Sequence, residues 1–111
     1  MDITNTSYKR CVLISVNGRV DSGSSPKLGE ALNQVQEAGH YKIVLDLKDV
    51  DYMSSSGLWV LVNAQKASRR YNRGEIVLTS VPPRIHSALD LAGFIPFFKI
   101  YDDITAAVGS F

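Results

Sequence analysis

The chain has 111 residues, one cysteine and a formal net charge of +1. That length suits one domain with a self-sufficient core, the charge leaves no electrostatic footprint for nucleic acid or an acidic membrane, and a lone thiol excludes an internal disulfide. No apolar run reaches the ~20 residues that span a bilayer, and the polar Met1–Thr6 lacks the form of a secretion signal, so a cytoplasmic protein is expected.

Taken in order, residues 3–9 read as a short edge strand. Cys11–Val16 is a stronger strand, ended by Asn17-Gly18, a pair suited to positive φ. Ser22–Ser25 is a loop by composition. Pro26 then opens a helix with Ser25 as its cap. Leu28, Ala31, Leu32, Val35 and Ala38 share one face of that helix, and Gly39 closes it. Lys42–Leu47 is apolar and β-branched, a strand covered on both faces. A helix from about 56 to 71 follows, with Leu58, Leu61, Val62 and Gln65 inward. It ends in Arg69, Arg70 and Arg73, cations that complement the negative end of a helix dipole. Residues 75–81 form a strand, Arg84–Leu91 a short helix, Phe97–Tyr101 a last strand and residues 102–108 a last helix. The alternation predicts an α/β (mixed α+β) domain spanning residues 1–111. Its mixed sheet of four to five strands carries about four helices, mainly on one face.

The usual catalytic constellations are missing. A Gly-x-Ser-x-Gly elbow is not formed around Ser54, Ser55 or Ser56. The two histidines, His40 and His86, read as solvated surface residues rather than the base of a triad. No phosphate-binding Gly-rich loop and no zinc-ligand spacing occur. Cys11 reads as a small buried hydrophobe. The expectation is therefore no catalytic residue, no metal and no cofactor.

What remains is Asp51-Tyr52-Met53-Ser54-Ser55-Ser56-Gly57-Leu58-Trp59-Val60-Leu61, at a strand-to-helix junction. A serine here can cap the helix. The junction also offers free N–H groups and the positive dipole end, which tolerate a phosphate. Spacing alone leaves cap and modification site open. Trp59, one turn into the helix and off its apolar face, is either a binding anchor or a cover for the sheet edge.

This motif, preceded by Ile43-Val44-Leu45-Asp46-Leu47, resembles the phosphoacceptor segment of the STAS domains of bacterial anti-sigma factor antagonists. Gly18-Arg19-Val20-Asp21 is similar to the family's Gly-x-Leu/Val-Asp turn, and Asp102–Val108 to its closing helix. The resemblance covers nearly the whole chain. It implies a STAS-type fold and a phosphoacceptor at Ser55, with Ser54 and Ser56 as the alternatives. It implies that Asp21 lies close to that serine and that Ser54 stands where many relatives carry Asp. The partner surface would then draw on Asp21, Ser54, Ser56, Gly57, Leu58 and Trp59. The implied partners are an anti-sigma factor that is also the serine kinase (a GHKL-type ATPase) and a PP2C-type serine phosphatase, with no nucleic acid and no membrane. Residues 49–65 contain Asp49 and Asp51 but no Lys or Arg. A phosphate of about −1.5 to −2 charges there should repel a partner. The unphosphorylated form would bind the anti-sigma factor and release the sigma factor. The competing reading is a STAS scaffold or small-ligand module that is never phosphorylated.

Overall fold

The computed structural model describes residues 1–111. The chain runs β1 (Asp2–Ser7), β2 (Val12–Val20), α1 (Ser25–Glu37), β3 (Ile43–Met53), α2 (Ser55–Arg69), β4 (Ile76–Thr79), α3 (Pro83–Leu91), β5 (Ile100–Tyr101) and α4 (Ile104–Gly109). Short 3₁₀ turns occupy Arg70–Asn72 and Ile95–Phe97. The strands form one sheet in the order β1-β2-β3-β4-β5. β1 pairs antiparallel to β2, and all later neighbours are parallel. Parallel strands added one after another in a single direction, each through a right-handed crossover, leave their helices on the same side. Accordingly α1, α2 and α3 bury Leu28, Leu32, Leu58, Leu61, Ile85 and Leu89 in one cluster against one face of the sheet. The short α4 takes the other face, where Ala107 joins Cys11, Leu13, Val44 and Val77. Residues 43–45 are therefore covered on both sides, as their apolar run requires. Burial pushes the Cys11 thiol pKa up, consistent with its role as a core residue.

Local readings shift where contacts across the chain intervene. β2 does not stop at Asn17-Gly18. It runs on to Val20 with register shifts beside Asn17 and Gly18, so Gly18 (φ +104°) serves an irregularity in the strand rather than a turn. β3 likewise extends to Met53, because β2 continues to pair with it. Ser24, not Ser25, holds the N-cap position of α1, and Ser25 is buried. Ala38 is the exposed end of α1 rather than part of its apolar face. α2 stops at Arg69, and the following turn holds Tyr71 and Asn72 at positive φ. The last strand shrinks to Ile100-Tyr101, since Pro96 belongs to a 3₁₀ turn.

Two buried amides lock the helices to one another and to the sheet. Gln36 Nε2 donates to Ala64 O (2.9 Å) and Ser68 Oγ (2.8 Å), joining α1 to α2. Gln65 accepts from Ile76 N (2.6 Å) and donates to Ile76 O (2.9 Å) and Phe97 O (2.7 Å). Each substitutes for water that these polar groups lose on burial. The apolar stripe of α2 thus contains one polar residue that the sheet edge needs.

Candidate functional site

The parallel strands end together at one edge of the sheet, where the open α/β architecture leaves its crevices. β2 delivers Asp21 there and β3 delivers the serine turn. The two ends are tied by Ser54 N, which donates to Val20 O at 2.8 Å.

The three serines then take different roles. Ser54 is the N-cap of α2, in extended backbone (φ −74°, ψ 169°), and its hydroxyl accepts from Gly57 N at 3.2 Å. Ser56 lies 2.8 Å from that hydroxyl and accepts from the buried Ser25 Oγ at 3.3 Å. A chain of hydroxyls therefore runs from the start of α1 to the cap of α2. Ser55, the first helical residue, is exposed and its hydroxyl takes no part in that chain. The capping role open in the sequence falls to Ser54, leaving the Ser55 oxygen free.

Gly57 explains how the turn can lie so close to the sheet. A Cβ at this position would stand 2.8 Å from Met53 Cγ and 2.9 Å from Val20 Cγ1, closer than real side-chain carbons approach. Gly57 and Leu58 are both buried, so they seat the helix and present no surface. Trp59 is 52% exposed and stands four residues after Ser55, on the same helix face. One edge of its ring meets Phe94 (centroids 5.0 Å, 71°), and Phe94 in turn meets Phe97 (6.0 Å). Trp59 thus packs on the segment that follows α3 rather than on the sheet edge, and half of its surface stays exposed.

Asp21 does not point freely at the turn. Its Oδ1 accepts from Gly23 N (3.0 Å), Ser24 N (2.9 Å) and Ser24 Oγ (3.1 Å), which shapes the loop leading to α1. These bonds, led by those from Ser24 and with a smaller contribution from Arg19, hold its pKa below the usual Asp value. Arg19 reaches Asp21 Oδ2 at 3.5 Å and lies 4.0 Å over the Tyr52 ring. A cation therefore does stand near the turn. Reading residues 49–65 alone misses it, because β2 brings it across at the register pair Arg19–Tyr52. Ser25, expected as a cap, and Phe94, which no sequence motif picks out, also join this edge only in the folded chain. Asp49 and Asp51 are exposed on β3. No group of three or more His, Cys, Asp or Glu is placed to hold a metal, and no helix is long and apolar enough to cross a membrane.

The family model described as the STAS domain matches residues 2–107. The anti-sigma-B factor antagonist of Listeria monocytogenes is 34% identical over 87 residues, 78% of this chain and 75% of that protein. The anti-sigma F factor antagonist of Paenibacillus polymyxa is 27% identical over 104 residues, 93% of this chain and 88% of its own. Among solved structures, an anti-sigma factor antagonist from Mycobacterium paratuberculosis superposes with a TM-score of 0.88 at 20% identity, covering 98% of this chain and 92% of that one. That likeness is one of fold.

Proposed function

The chain belongs to the STAS domain family, and from that premise we propose that it is an anti-sigma factor antagonist switched by phosphorylation of Ser55. The observation that carries this reading is the division of labour among the serines. Ser54 and Ser56 are engaged with each other and with Gly57 N and Ser25, whereas the Ser55 hydroxyl is exposed and unbonded. A kinase can take that hydroxyl without dismantling the cap.

The same position suits the product. A phosphate on the first residue of a 15-residue helix meets the positive end of its dipole, so folding tolerates it. Its effect falls on the partner. Asp21, Asp49 and Asp51 already make this edge acidic, and Arg19 is engaged by Asp21 and Tyr52. A further −1.5 to −2 charges, approximately, opposes docking of any surface complementary to the unmodified turn. The unphosphorylated form binds the anti-sigma factor through Asp21, Ser54, Ser55, Ser56 and the exposed half of Trp59, with Gly57 and Leu58 seating the helix beneath them. The catalytic base, ATP and magnesium come from the GHKL-type kinase, and a PP2C-type phosphatase reverses the step. This chain contributes the acceptor hydroxyl and a docking surface, acting as a regulator rather than an enzyme.

The test is mass spectrometry of the protein taken from its own cells, followed by binding of each form to the anti-sigma factor. Phosphate on Ser55, with binding confined to the unmodified form, is expected. Phosphate on Ser54 or Ser56, or equal binding by both forms, overturns the proposal.

A further inference from the structure

The opposite end of the sheet, where the parallel strands begin, carries a second concentration of chemistry. It is separated from the serine turn by the length of β2, roughly 25 Å at ~3.3 Å per residue. Three segments converge there: the β1–β2 connection, the α1–β3 loop and the turn after α2. Together they line an open cleft of ≈ 270 Å³ whose wall includes Tyr8, Lys9, Arg10, His40, Tyr41, Lys42 and Arg73. No carboxylate lines it.

Part of this charge has a structural explanation. Arg73 Nη2 donates to Ala67 O (2.6 Å) and Nε to Arg70 O (3.1 Å), satisfying carbonyls at the end of α2. Arg69 and Lys99 share Glu75, at 3.5 Å and 3.0 Å. Lys9, Arg10 and Lys42 have no such explanation, since none is in an ion pair or a side-chain hydrogen bond. All three are exposed on the wall of one cleft that no carboxylate lines, so an anion bound there would meet several cations and no competing counter-charge.

The geometry is prepared for one. The Arg73 guanidinium lies 3.8 Å over the Tyr41 ring, which with its two carbonyl bonds leaves the fork fixed and its Nη1 edge unused. Gly74 lies against the Tyr41 backbone, so the turn and the α1–β3 loop are pressed into one wall. A cleft of this size, slightly below the ~300–1,000 Å³ of drug-sized pockets, suits a compact anion better than a peptide or a nucleic acid strand. Several cations around one cup match a multiply charged group better than a single carboxylate. We propose that this pole binds a small phosphate-bearing ligand, with Arg73 as the fixed contact and Lys9, Arg10 and Lys42 closing around it. The site is independent of the switch at Ser55.

Titration of the ¹⁵N-labelled protein with pyrophosphate, against sodium chloride at matched ionic strength, tests it. Saturable amide shifts are expected at residues 8–11, 40–42 and 73, with the serine turn unmoved. The exposed double variant Lys9→Ala/Lys42→Ala should fold normally and bind at least tenfold more weakly. A nucleoside diphosphate binding more tightly than pyrophosphate would extend the site to a base against the tyrosine walls, and equal affinity would confine it to the phosphates; either supports the proposal. Shifts that chloride reproduces, unchanged binding by the variant, or saturation only by a glutamate-rich peptide would overturn it.

Discussion

The hydroxyl oxygens of Ser54 and Ser56 lie 2.8 Å apart at the head of α2, and the residue between them is turned out to solvent. This follows from helix geometry. The cap and the second helical residue face back toward the sheet and α1, where Gly57 N and Ser25 Oγ await them. The first helical residue does not.

Ser55→Ala should leave stability within about 0.5 kcal/mol, as an exposed change with no lost bond does, while removing all phosphate incorporation. Ser54→Ala should instead cost ~1 kcal/mol through the lost cap and keep Ser55 modifiable. Thermal denaturation alongside a kinase assay reads both. Full incorporation into Ser55→Ala would reassign the acceptor.

Ser55→Asp places a carboxylate at the helix start, where it is welcome. The melting temperature should hardly move. Affinity for the anti-sigma factor should fall at least tenfold, ~1.4 kcal/mol, measured by calorimetry. Unchanged affinity would mean that charge at this position is not what controls docking.

Trp59→Ala separates surface from support. The ring loses its edge contact with Phe94, which should cost about 1 kcal/mol of stability. An exposed aromatic anchor at an interface should cost ~2 kcal/mol or more of binding. The larger change is expected in affinity per folded molecule. A large drop in the urea midpoint with affinity intact would make Trp59 a purely structural residue.

Gly57→Ala sets two effects against each other. Alanine gains ~1 kcal/mol in helix propensity, yet its methyl would press on Met53 and the stiff Val20 side chain. Overpacking of this kind costs ~1–3 kcal/mol, so a net loss of stability is expected by urea denaturation. A stabilised variant would show that α2 can lift off the sheet freely.

Asp21 makes a prediction in pH. Its folded pKa is depressed, so the loop order it maintains is present above the ordinary Asp value and is lost as pH falls through the lower, folded value. The amides of Gly23 and Ser24, which donate to its Oδ1, should report that change together in an NMR titration. In Asp21→Asn the same amides should no longer titrate. A midpoint at or above the ordinary Asp value of 3.8 would contradict the bonding described.

The order of strands and helices, most of the stripes of α1 and α2, the serine turn between β3 and α2 and the family likeness were all legible in the sequence. Each is a local property: periodicity, β-branching and motif spacing are set by near neighbours along the chain. Whether Asn17-Gly18 turns or bends was not local, since β3 pairing carries β2 past it. That the helices lie mainly on one face was expected, but that α4 alone takes the other depends on the direction in which the strands are added. At the site, sequence spacing left three equivalent hydroxyls. Only the fold distinguishes them, by bringing Ser25 from 31 residues away to Ser56 and Val20 O to Ser54 N. Arg19 beside the serine turn and the cations gathered at the far pole likewise come together only in the fold. Lys9, Lys42 and Arg73 are scattered in sequence, and become one site because parallel strands must all begin at the same edge.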